Sequence, residues 1–156
     1  MLEPNDVLKE LQDLRDEGFL SDTLLRRVVK TTAASDDRFD WVGVYLVNPE
    51  ENVVWLHNYV GRPTTHSKIP IGEGICGTAV ANGEDVNVPD VSAVEHYIEC
   101  DRRTKSEMVV LIRGSDEIFG LVNIESRTEK AFTDEDSAAI QTLADKVAEQ
   151  LAQERS

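Results

Sequence analysis

Two pairs of apolar, β-rich runs, each pair broken by a short polar turn, constrain this chain more than any other feature. WVGVYLV at residues 41–47 is followed by the turn chemistry of NPEEN and then by NVVWLHNYV, so residues 40–60 predict a β-hairpin. SEMVVLIR and EIFGLVNIES, joined by Gly114-Ser115-Asp116, predict a second. KIPI and DVNVPDV read as brief strands between them. Helical spacing brackets this β material. Val7, Leu8, Leu11 and Leu14 mark a helix over 5–17, and Leu24, Leu25, Val28 and Val29 mark one from Asp22 to about Ala34, stopped by Ser35-Asp36-Asp37. At the other end Thr133 and Asp136 have the spacing of a capping box, ahead of a stripe made by Ile140, Leu143, Ala144, Val147 and Leu151. Hairpins between terminal helices predict a central antiparallel sheet with the N- and C-terminal helices packed on one side, an α+β fold. At 156 residues, one domain spanning 1–156 is expected.

Charge and composition exclude several partners. A formal net charge of −14 speaks against nucleic acid, whose phosphates need Lys and Arg to neutralise them, and against an anionic membrane surface. No apolar run approaches the roughly 18–20 residues that span a bilayer, and MLEPNDVLKELQDLRDE lacks the apolar core of a signal peptide. A cytoplasmic protein is therefore expected. Two cysteines are too few for a disulfide scaffold and read as thiols in a reducing compartment. His57, His66 and His96 are separated in sequence and have no ligand spacing, so no metal is expected.

IPIGEGICGTAV, residues 69–80, carries Gly72, Gly74 and Gly77 at the spacing G-x-G-x-x-G. A dinucleotide fold needs that motif after the first strand of a parallel βαβ unit, with an acid about 20 residues on. Here it lies mid-chain behind a hairpin. The helix after it, read as Thr78–Asn82, has room for little more than one turn. The glycines serve better to let a backbone with positive φ wrap closely around something. By its local sequence Cys76 looks like a packed residue. Cys100, in HYIECDRRTKSE, is crowded by Arg102, Arg103 and Lys105. Cations stabilise a thiolate and thereby a nucleophile; a solvated basic loop with an incidental cysteine explains the same letters. Trp41 and Tyr45 share one face of a strand and read on pattern alone as a core pair.

Taken in order, WVGVY, a hairpin, IPIGEGICGTAV, VPDV, YIECD, KSEMVV, GLVNIES and FTDED resemble a GAF domain over about residues 20–152. More specifically, they resemble the free methionine-(R)-sulfoxide reductases, with GICGTA and YIECD followed by Ser106-Glu107 as the most specific parts. The resemblance implies a thiol-dependent reduction of free methionine-(R)-sulfoxide with no bound cofactor. Cys100 would attack the sulfoxide sulfur and become a sulfenic acid, a second thiol would condense with it, and a thioredoxin-type reductant would restore the enzyme. It also implies that Trp41 and Tyr45 wall the S-methyl group, and that Glu107 holds the charged end of the amino acid or assists proton transfer. A homodimer is the expected assembly.

The chain departs from the family pattern twice. Where members carry an acidic pair in a GVLDIDS-like strand, this chain has GLVNIES, so Asn123 replaces one aspartate and Glu125 lengthens the other. An asparagine accepts a hydrogen bond from an ammonium but donates no carboxyl proton, which leaves Glu125 or Glu107 for the acid role. The loop GRPTTHSK lacks the resolving cysteine that many members place there. Cys76 is then the one intramolecular candidate to resolve Cys100, the alternatives being a link between subunits or an external thiol. A sensory GAF domain that binds a small ligand without turnover is the competing reading, and Asn123 suits it.

Overall fold

The computed structural model describes residues 1–95, 97–98 and 102–155. Two helices, α1 (Pro4–Asp16) and α2 (Ser21–Ser35), precede the hairpin of β1 (Trp41–Asn48) and β2 (Val53–Val60). Strand β3 (Lys68–Pro70), helix α3 (Gly74–Asn82) and strand β4 (Val86–Val88) follow. A 3-10 turn at Val91–Ala93 leads toward the second hairpin, β5 (Ser106–Arg113) and β6 (Ile118–Ser126), and α4 (Asp134–Arg155) closes the fold. The six strands form one antiparallel sheet in the order β3-β2-β1-β6-β5-β4, which puts the two hairpins side by side through β1 and β6. The predicted α+β architecture is observed.

Alternation along the strands separates two apolar clusters. Val42, Val44 and Leu46 of β1, Met108, Val110 and Ile112 of β5, and Val122 and Ile124 of β6 face α1, α2 and α4. There they meet Leu11, Leu25, Val28, Ile140, Leu143 and Val147, all buried. The opposite face carries Trp41, Tyr45, Val109, Leu111 and Leu121, covered by Ile75, Cys76, Ala79 and Val80 of α3. The terminal helices therefore lie on one side, as expected, and α3 lies on the other.

The capping box predicted at the start of α4 is formed. Thr133 N–H donates to Asp136 at 2.8 Å, and Asp136 N–H donates to the Thr133 hydroxyl at 3.2 Å. Asp136 also takes part in a clamp: Arg38 donates to both of its carboxylate oxygens at 2.9 Å, to Asp36 at 2.8 Å and 3.0 Å, and to the Ala131 carbonyl at 2.6 Å. This clamp ties the α2–β1 connection to the start of α4. The helix expected at Thr78–Asn82 requires correction: α3 starts four residues earlier, at Gly74, and spans nine residues. Glycine is a poor helix former, so the periodicity of its neighbours does not announce a helix there. Packing against the sheet supplies what propensity lacks.

Candidate active site

Three adjacent strands assemble the polar part of the second face. Strand register puts Trp41 opposite Glu125 and Glu125 opposite Glu107, so β1, β6 and β5 contribute one row of side chains. The next row on that face is Gly43, Asn123 and Val109, and the row after it is Tyr45, Leu121 and Leu111. Two carboxyl groups and an amide therefore sit at one end of an otherwise apolar surface. All three are buried: Glu107 is 5%, Glu125 2% and Asn123 3% exposed.

Burial of a carboxylate without a cation favours the neutral acid. Glu107 follows that rule: burial, and then the negative charge of Glu125 beside it, raise its pKa well above the ordinary carboxyl value. Hydrogen bonds from Asn123 and Cys76 oppose the shift without reversing it. The Cys76 thiol lies 3.9 Å from Glu107 Oε2. Asn123 also donates through Nδ2 to the Met108 carbonyl at 3.3 Å, which fixes the direction of its amide. An aspartate at 123 would add a third carboxyl to this pair. Asparagine leaves two acids, one of which is held well above the ordinary carboxyl pKa.

The apolar wall depends on a glycine. A Cβ at Gly43 would stand 2.3 Å from the tip of the Trp41 indole, so the ring lies flat over that position. Trp41 Nε1 donates to the Arg62 carbonyl at 3.0 Å, and Tyr59 stacks on the indole with ring centres 5.6 Å apart. Tyr45 packs beside Trp41 at 6.4 Å and donates its hydroxyl to the His66 carbonyl at 3.1 Å.

The glycine segment forms the roof. Gly72 and Gly74 adopt φ of 100° and 64°, backbone that L side chains avoid. Gly77 lets α3 approach β3, since a Cβ there would lie 2.3 Å from the Pro70 carbonyl. Two of the amides over 72–77 are taken up within the loop itself. Gly72 N–H donates to the Gly77 carbonyl at 2.8 Å, and Glu73 N–H to the Pro70 carbonyl at 3.1 Å. Those bonds close the turn itself. The amides of Gly74 and Ile75, at the first turn of α3, find no acceptor among the described residues.

Two small cavities flank the carboxyl pair, each of about 10 Å³, room for roughly one water. Tyr45, Cys76, Glu107 and Asn123 line the first, with Gly74 and Ile98 at its roof. Trp41 and Glu125 line the second, with Asp40, Arg62, Thr104 and Arg127. The structure thus divides the site residues named from sequence between two neighbouring spaces, linked by the Glu107–Glu125 pair and the Trp41–Tyr45 contact. Cys100 and His96 lie outside the described residues. His57 sits on the sheet's helix side, with Nε2 3.0 Å from Asp22. Among the described residues no group of three or more His, Cys, Asp or Glu is placed to hold a metal, and no helix is long and apolar enough to cross a membrane.

Gly43, Tyr59 and Thr104 have no role in the sequence reading. Gly43 had a signal: a glycine inside WVGVY marks close approach of another group to the strand. Thr104 and Tyr59 had none, because their partners are distant in sequence.

The sheet, its one-sided terminal helices and the α3 roof define a class. A GAF domain model matches residues 19–151, and the chain belongs to the GAF domain family. Within it the chain is similar to the free methionine-R-sulfoxide reductase of Escherichia coli, 31% identical over 133 residues, which are 83% of this chain and 79% of that protein. It also superimposes on solved structures of that name. The Neisseria meningitidis reductase in complex with its substrate matches with a TM-score of 0.87 and 26% identity, over 97% of this chain and 90% of that one. The type II enzyme from Thermoplasma acidophilum matches with a TM-score of 0.79 and 30% identity, over 85% and 93%.

Proposed function

We propose that this protein is a reductase of free methionine-(R)-sulfoxide that works through a cysteine sulfenic acid and a disulfide. The observation that supports it most is the buried pair Glu107 and Glu125 beside the Trp41–Tyr45 wall, in a chain similar to reductases of that name. A free amino acid presents a small apolar tail and an ammonium group, and the two ends of this face match them. Trp41 and Tyr45 take the S-methyl tail; Glu125, helped by the Asn123 carbonyl, takes the ammonium.

Cys100 is the nucleophile in this reading, supported by its cationic neighbours Arg102 and Arg103 and by its motif. Its thiolate attacks the sulfoxide sulfur. Glu107, which keeps its proton because it is buried beside another acid, protonates the departing oxygen. The oxygen passes to the Cys100 sulfur as the bond between the two sulfurs breaks, so that thiol plus sulfoxide gives sulfenic acid plus methionine. A second thiol then displaces water from the sulfenic acid to form a disulfide. Two electrons and two protons from a thioredoxin-type dithiol return both thiols. Cys76 is the resolving candidate within the chain. An amino acid exceeds the present cavities, so binding requires Ile98 to move away from Gly74, against which it packs.

The test follows NADPH consumption with thioredoxin, its reductase and free methionine-(R)-sulfoxide, for the wild type, Cys100→Ser and Cys76→Ser. Turnover is expected in the wild type and none in Cys100→Ser. Wild-type protein that binds methionine sulfoxide but turns over with no thiol reductant would favour the sensory reading, to which Asn123 lends itself.

A further inference from the structure

Glu125 is tied to the segment that follows Cys100. Thr104 is 9% exposed, and its hydroxyl donates to Glu125 Oε1 at 2.9 Å. The backbone beside it is pinned on both sides: Lys105 N–H donates to the Ser126 carbonyl at 2.8 Å, and Val91 N–H donates to the Lys105 carbonyl at 2.9 Å. Ser106 adds a third tether, its hydroxyl donating to the Thr128 carbonyl at 2.6 Å. Thr104 therefore meets Glu125 from a fixed position, in the cavity that Trp41 also lines.

We propose that Thr104 is a positioning residue, which fixes the Glu125 carboxylate so that it meets the ammonium group of the amino-acid substrate. The proposal rests on the function proposed above. A carboxylate accepts about four hydrogen bonds and a threonine hydroxyl donates one, so Thr104 orients the group while leaving it able to take an ammonium. A hydrogen bond to a charged group is stronger than a neutral one, and a buried glutamate has three rotatable bonds to restrain. Because Thr104 lies four residues after Cys100, the same short segment sets the carboxylate and carries the thiol.

The experiment compares full-length wild type with Thr104→Val, Thr104→Ser, Glu125→Gln and the Thr104→Val/Glu125→Gln double variant. Steady-state kinetics on free methionine-(R)-sulfoxide are run in parallel with calorimetric titration of methionine. Thr104→Val is expected to raise KM and weaken methionine binding about ten- to a hundredfold, with kcat within about threefold. Thr104→Ser, which keeps the hydroxyl, is expected to restore both within about threefold. In the Glu125→Gln background Thr104→Val should add little, because residues that act through one another are non-additive. If Thr104→Val does not fold, Thr104→Ala enters the same cycle. Wild-type affinity in the valine or alanine variant, an undiminished effect in Glu125→Gln, or a serine variant as weak as valine would each overturn the proposal. Failure of the wild type to turn over, with the binding pattern intact, sinks the reductase reading and leaves Thr104 supported. Failure of the wild type both to turn over and to bind sinks both.

Discussion

The two faces of the sheet are made by the same strands, and neighbouring residues meet opposite fates. Met108 is enclosed by apolar side chains against the helices, while Glu107, one position earlier, faces Cys76 and Glu125 across the strand. The helix face is covered by three helices whose apolar stripes pack on it. The other face has one nine-residue helix and connecting segments over it, and it ends in two acids and an amide. A period of two along the strand thus separates what stabilises the fold from what does the proposed chemistry.

That division can be broken most sharply at Glu107. Glu107→Gln keeps the shape and removes the proton, and kcat should fall about a hundred- to ten-thousandfold. The melting temperature should hold or rise, because the amide folds without the proton uptake that the buried acid needs above its ordinary pKa. A large loss of stability with unchanged turnover would contradict the assignment. The mirror experiment is Leu143→Ala on the helix face, where a fully buried side chain is expected to cost about 2–5 kcal/mol in urea unfolding, with kcat/KM per folded molecule unchanged.

A smaller effect is expected at Gly43. Gly43→Ala puts a methyl where the Trp41 indole lies, so KM should rise severalfold more than kcat falls, with a shift in tryptophan emission. An unaltered KM would mean that the ring does not wall the substrate.

The pH dependence of stability should also differ between the faces, and with opposite sign. Glu107 binds its proton more tightly folded than unfolded, so the folded state holds more protons above the ordinary value of 4.5. Stability therefore falls as pH rises from there through its raised pKa, then levels off. Asp36, in the Arg38 clamp on the helix side, is held down to about 2 against an ordinary 3.8. Its contribution is present above 3.8 and is lost as pH falls toward 2. Urea unfolding across pH should show both limbs, and Glu107→Gln should erase only the upper one.

Element type was legible in the residues because each element announces itself locally. The hairpins read from apolar runs and turn residues, and the Thr133–Asp136 box from a spacing of three. The start of α3 was not legible, since its first turn is Gly-Ile-Cys-Gly and its helix is imposed by contact with β3 and the sheet. Trp41 and Tyr45 read as a pair on one face, and the structure places them so. Glu107, Asn123 and Glu125 were named through family resemblance; a spacing of two puts Asn123 and Glu125 on one face, and Glu107 joins them only through strand register.

The sequence by itself determined the α+β class, the extent of most helices and strands, and the GAF resemblance, all of which are carried by periodicity and contiguous motifs. Only the tertiary structure decided that burial beside Glu125 raises the pKa of Glu107, that Gly43 makes room for Trp41, and that Thr104 bonds Glu125. Each of these depends on burial and on neighbours from distant parts of the chain. Desolvation and close contact are properties of the packed molecule, and no single segment carries them.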